Sequence, residues 1–145
     1  MPAIEDFLTQ AEEQDIIEAI RSAEQHTSGE IRVHIERHTN LSIELRAMEL
    51  FHFLKMDNTK LQNAVLIYVA IDDKNFYIYG DKGINDVVPI NFWNTTKDTI
   101  QNYFIKGQFK TGLVEGVLKA GKALHKHFPK QHDDIDELPN NISKG

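Results

Sequence analysis

Asn63-Ala-Val-Leu-Ile-Tyr-Val-Ala-Ile71 is apolar at every position after its first. A strand with one wet face alternates polar and apolar residues, so an unbroken apolar run of this length marks a central strand covered above and below. That cover has to come from helices, and the flanking sequence supplies them. Downstream, Asp72-Asp-Lys-Asn75 is turn chemistry, and Phe76-Tyr-Ile-Tyr79 behind it is aromatic and β-branched, so the two runs form a hairpin. Upstream, Glu30-Ile-Arg-Val-His-Ile-Glu36 alternates strictly and places Ile31, Val33 and Ile35 on one face of another strand. Between these strands, His38 to Asn40 is a turn and Ser42 caps a helix running to about Lys55. Leu45, Met48, Phe51 and His52 are read as its core side, with Leu50 and Leu54 on the flank.

Further out the same logic holds. Thr9-Gln-Ala-Glu12 is a capping box, and Ile16, Ile17, Ile20 and Ala23 recur behind it at helical spacing as far as about Gln25, before Ser28-Gly29. Residues 80–86 form a polar loop with Gly80 and Gly83, which permit positive φ. Residues 87–93 carry no clear period. Asn94 or Thr95 caps a helix with Ile100, Tyr103 and Phe104, and Gly107 interrupts it. A last helix carries Leu113, Val117, Leu118, Ala120 and Leu124 to about His127. The tail from about 129 is polar and Pro-bounded, and is expected to be partly mobile. The pattern is one α/β domain over residues 1–145, without an internal repeat.

Composition bounds the partners. The formal charge of -6 argues against an extended nucleic-acid footprint, which needs clustered Lys and Arg. Zero cysteines exclude a disulfide framework, a thiolate metal site and a cysteine nucleophile. Met1-Pro-Ala-Ile-Glu-Asp6 lacks the basic and apolar regions of a secretory signal, and no apolar stretch approaches the roughly 20 residues of a membrane helix. The expected compartment is the cytoplasm.

Connectivity then suggests a site. If the two first strands are parallel neighbours, the intervening helix returns the chain from the top of the sheet to the bottom. The 56–62 loop then lies beside Glu30, and the hairpin delivers residues 80–86 to the same end. Glu30, Asp57, Asp81 and Asp86 are expected to converge there, with Asn58, Thr59, Asn63 and Asn85 as further oxygen donors, while Asp72 and Asp73 are left at the other end. Gathered carboxylates repel unless a cation neutralises them, and oxygen-only ligands suit the hard ions Ca²⁺ and Mg²⁺. The alternative is that each acid caps a helix or solvates a turn. The spacing matches no EF-hand loop.

The ordered set Ser28-Gly-Glu-Ile-Arg-Val33, Asn63-Ala-Val-Leu-Ile-Tyr-Val-Ala70, Phe76-Tyr-Ile-Tyr-Gly-Asp-Lys-Gly-Ile84, Phe109-Lys-Thr-Gly-Leu-Val-Glu-Gly116 and Asp136-Glu-Leu-Pro-Asn140 resembles the TPM domain, a family that includes thylakoid-lumen proteins linked to photosystem repair. The resemblance implies a three-layer α/β/α sandwich around a small mixed sheet of about four strands. It also implies divalent-cation binding and, from some plant members, acid phosphatase activity. The chain looks like a stand-alone version, because most relatives add a signal peptide, a membrane helix or a Gly-rich tail. Where the family has Gly-x-Gly-Leu-Glu, this chain has Gly80-Asp-Lys-Gly-Ile-Asn85, which puts Asn85 at a usual Glu and adds Asp81.

Other chemistry is poorly supported by the residues. Asp134-Ile-Asp136 resembles an aspartyl-phosphate motif but follows no apolar strand. The only arginines are Arg21, Arg32, Arg37 and Arg46, none of them in an acidic loop, so no phosphate clamp is evident. His34 with His38, and His125 with His127, are expected at the surface rather than as zinc pairs, and Trp93 with Phe92 as a core or interface anchor. The expectation is a divalent-cation-binding domain in which the metal ties the 56–62 and 80–88 loops together. A metal-dependent phosphatase and a metal-independent module binding an unknown protein partner are the alternatives.

Overall fold

The computed structural model describes residues 7–130 and 138–145. In chain order the elements are α1 (Gln10–Glu24), β1 (Glu30–Glu36), α2 (Ile43–Phe53), β2 (Ala64–Ala70), β3 (Asn75–Gly80), α3 (Lys82–Asn85), α4 (Asn94–Ile105), α5 (Phe109–His127) and β4 (Ser143–Lys144). The four strands form one mixed sheet in the order β3-β2-β1-β4. β1 runs parallel to β2 from Glu30↔Ala64 to Glu36↔Ala70, and β3 returns antiparallel from Ala70↔Asn75 to Val65↔Gly80. All seven residues of β2 are buried, as a doubly covered strand requires.

The pleat divides the core in two. Ile31, Val33, Ile35, Val65, Ile67 and Val69 face α1, α4 and α5, whereas Ala64, Leu66, Tyr68 and Ala70 face α2. This is the α/β/α layering expected from the sequence. The Thr9 capping box is formed: Glu12 N–H donates to Thr9 Oγ1 (3.1 Å) and Thr9 N–H to Glu12 Oε1 (3.0 Å). α1 and α5 cross closely because Gly121 has no side chain, and a Cβ there would lie 2.7 Å from Ala23 Cβ. Gly107 takes φ +74° between α4 and α5, which ends the helix where the sequence predicts a break.

Several details differ from the sequence reading. α2 buries Ala47, Leu50 and Phe51, while Leu45 and Met48 are 49% and 39% exposed. The buried stripe passes through Ala47, Leu50, Phe51 and Leu54, and the small alanine lets the helix sit close to the sheet. Gly80 and Gly83 do not take positive φ; besides Gly107, that region is occupied by Lys55, Gln62 and Lys74. The 80–86 segment contains the short helix α3. α4 begins after Trp93 without a side-chain cap, so neither Asn94 nor Thr95 plays that part. Trp93 and Phe92 pack against the larger core, as an anchor would. Near the end of the tail, Ile142 is buried and Ser143–Lys144 pairs with His34 and Ile35 of β1.

Candidate functional site

Three chain segments meet at the end of the sheet where β1 and β2 start and β3 stops. Glu30 is the register partner of Ala64, and Asp81 N–H donates to Ala64 O (3.0 Å). Glu30 and Asp81 thus flank the first residue of β2 on either side. The loops are in direct contact: a Cβ on Gly83 would run into the carbonyl oxygens of Leu61 and Gln62. Glycine is needed there for close approach of two backbones, not for its turn freedom. Asp72 and Asp73 lie at the opposite end, with Arg37 (3.5 Å) and His38 (2.5 Å) respectively.

Each acid has its own surroundings. Asp81 is the N-cap of α3; its Oδ1 accepts from Lys82 N–H (2.7 Å), while its Oδ2 is buried with no hydrogen-bond partner. Glu30 is 3% exposed and its Oε1 accepts from Leu138 N–H (2.8 Å). Asp57 is exposed and shares a hydrogen bond with His52 Nδ1 (3.0 Å). Asp86 caps the C-terminus of α3 and accepts from Lys82 Nζ (2.7 Å). Of the amide and hydroxyl donors, Thr59 Oγ1 accepts from Asn63 N–H (3.3 Å), Asn63 Nδ2 donates to Ser28 Oγ (3.3 Å) and Asn85 Nδ2 donates to Gly80 O (3.1 Å). Asn58 is exposed. Among the described residues, no three His, Asp or Glu side chains stand close enough together to hold a metal. The fold therefore brings the loops and the backbones of Glu30 and Asp81 together, while Asp57 and Asp86 are engaged with His52 and Lys82.

A second polar cluster, under α2, escaped the sequence reading. Glu36 receives two hydrogen bonds from Arg46, Nε to Oε2 (2.8 Å) and Nη2 to Oε1 (3.0 Å), and one from Tyr68 Oη (2.5 Å). Burial alone would raise the Glu36 pKa, but these donors outweigh it and hold the carboxyl below its ordinary range. Tyr68 is pushed up by burial and by Glu36. His34 is 3% exposed, not at the surface as expected, and its Nδ1 shares a hydrogen bond with Ser143 Oγ (2.9 Å). Burial lowers its pKa to about 4, Glu36 opposing and Arg46 and Arg32 adding to the fall. The available signal was the polar half of β1: Glu30, Arg32, His34 and Glu36 share the face that α2 must cover, so they need partners.

Among the described residues, His38, His125 and His127 make local contacts. His38 places Nδ1 and Nε2 against Asp73 and Asn40 oxygens, which raises its pKa. His125 Nδ1 lies 2.6 Å from His26 O, and the His127 ring meets Phe92 edge-on. Asp134-Ile-Asp136 lies outside the described residues.

Comparison with known proteins places this arrangement. The TPM domain pattern matches residues 4–123. The chain belongs to the TPM domain family. This TPM domain is similar over 100% of both chains to the BA42 protein of the psychrophilic bacterium Bizionia argentinensis, at 63% identity and a TM-score of 0.94. It shares its fold with the N-terminal domain of a protein from P. gingivalis (20% identity, 87% of this chain and 83% of that one, TM-score 0.69). The same holds for the N-terminal domain of the cg2496 protein of Corynebacterium glutamicum (8% identity, 95% and 80% covered, TM-score 0.64). No curated protein matches. No helix among the described residues of this TPM domain is long and apolar enough to cross a membrane.

Proposed function

We propose that this TPM domain binds a hard divalent cation, Ca²⁺ or Mg²⁺, at the loop end of its sheet, and that the ion ties the 56–62 and 80–88 loops together. The observation that carries the reading is Asp81 Oδ2, a buried carboxylate oxygen without a hydrogen-bond partner, in a loop pressed against the Leu61 and Gln62 backbone. A buried anionic oxygen left unpaired is costly, and a cation offsets that cost directly. Glu30, Asp57 and Asp86 are the proposed companions. Recruiting Asp86 displaces an exposed lysine pair, and Asp57 an exposed histidine contact; solvent screens such surface contacts, so little stability is lost with them. The ion would order the loops and act as a structural clip or a switch.

Titration of the ¹⁵N-labelled domain with Ca²⁺ and Mg²⁺ tests this. Saturable amide shifts are expected over residues 57–62 and 81–86, and Asp81→Asn should abolish them while the rest of the spectrum stays dispersed. An unmoved spectrum at millimolar ion removes the proposal.

A partner-binding surface at the same end is favoured by a separate observation. Phe53 at the end of α2, Leu61 in the loop before β2, and Val87 and Ile90 between α3 and α4 are 78%, 46%, 53% and 106% exposed. Exposed large apolar side chains are a mark of interaction sites where they form a continuous patch. Phosphatase chemistry has less support here, because Arg37 and Arg46 are engaged in ion pairs with Asp72 and with Glu36 and Glu49.

A further inference from the structure

At the opposite end of the sheet, where β2 ends, β3 begins and α4 turns into α5, lies a cavity of about 650 Å³. That volume falls within the range of small-ligand pockets. Its walls are four phenylalanines, Phe7, Phe76, Phe104 and Phe109, with Lys74 and Gln101 among the lining polar groups. The rings touch in series: Phe7–Phe109 at 4.7 Å, Phe109–Phe104 at 5.3 Å and Phe104–Phe76 at 5.5 Å between centroids. All four remain only half-buried although they pack on the core, so apolar surface is left over. Their planes are inclined by 43°, 66° and 69°, which leaves no parallel slot for a flat ring and suits a flexible chain running across ring faces and edges.

Lys74 is the one cation lining this cavity among the described residues. The hairpin acids are already engaged, Asp72 with Arg37 and Asp73 with His38. Lys74 makes no ion pair among the described residues and is exposed. It sits at φ +52°, held by Lys74 N–H donating to Ile71 O (3.1 Å), so the turn carries its ammonium group at the β2–β3 end. An apolar cavity whose lining carries one cation without an ion pair among the described residues is complementary to an amphipathic anion rather than to a neutral hydrocarbon. We propose that this cavity binds an acyl monocarboxylate, its chain over the four phenylalanines and its carboxylate at Lys74. The site is independent of the metal reading at the other end of the sheet.

The test is an NMR titration of the full ¹⁵N-labelled chain with decanoate below its self-association concentration, beside decanol as the neutral counterpart. Saturable shifts are expected at Phe76, Gln101, Ile105 and Gly107, with residues 56–62 unmoved. Lys74→Gln should weaken decanoate about five-fold and leave decanol unaffected, whereas Lys74→Arg should retain decanoate binding. A dispersed spectrum of each variant confirms that it is folded. Three results overturn the proposal: no saturable shift, a Lys74→Gln substitution that leaves decanoate binding unchanged or weakens decanol as much, or shifts of the same residues with protein concentration alone, which would assign the cavity to a second copy of the chain.

Discussion

At the scale of single residues, His34 is a buried group through which pH acts on this fold. It is buried against Tyr68, stacked at 6.0 Å, and its pKa falls from 6.5 to about 4. The unfolded chain binds the proton between those values and the folded chain does not. Stability is therefore intact above pH 6.5 and declines as pH falls towards 4, by at most about 3 kcal/mol from this group. Urea midpoints at pH 7 and pH 4.5 should differ accordingly, and His34→Gln should flatten that dependence. His38, whose pKa is raised, acts in the opposite direction, but it is exposed and its removal should change the slope little. The acids of the loop end show why residue identity underdetermines a site. Asp81, Asp86, Asp57 and Glu30 are equally good ligands on paper, yet only Asp81 retains a buried oxygen without a hydrogen-bond partner.

At the scale of elements, packing decides between competing preferences. Gly83 lies inside α3, where alanine would be favoured by about 1 kcal/mol on helix propensity. The Leu61 and Gln62 carbonyls occupy the space a methyl group needs, and overpacking of this kind costs about 1–3 kcal/mol, so sterics should win. Gly83→Ala is expected to lower the urea midpoint and to shift amides mainly across residues 56–63; a stabilised variant would show that the loops are not held together as described. α2 offers a paired test of which stripe faces the sheet. Phe51→Ala should cost about 3–5 kcal/mol, because Phe51 is fully buried beside Tyr79, whereas Leu45→Lys should stay within about 0.5 kcal/mol. Equal effects at the two positions would contradict the observed helix rotation.

At the scale of the molecule, the proposed cation should be a ligand of the folded state, because its donors come from β1, from the two ends of α3 and from the loop between α2 and β2. Such a ligand stabilises by mass action, about 2.7 kcal/mol at a hundred times its dissociation constant. Thermal unfolding of the domain in Ca²⁺ should therefore move upward with ion concentration, and Asp81→Asn should show no such movement. An unchanged midpoint in the unaltered protein would separate the loop end from cation binding.

The local sequence was sufficient wherever one period or one cap dominated. The strict alternation of β1, the unbroken apolar run of β2 and the Thr9 box each specify their element without help from distant residues. Because a parallel pair obliges the chain to return to the same edge, those elements also made the meeting of the 56–62 and 80–86 loops legible. Tertiary contacts decided the rest. Whether α2 buried Leu45 or Ala47 depended on how near the helix could come to the sheet, and the partners of the polar face of β1 came from Arg46 and Tyr68, remote in sequence. The ends of the acidic side chains were likewise settled by neighbours such as Leu138 N–H, His52 and Lys82, since a carboxylate turns towards the nearest donor once the backbone has placed it.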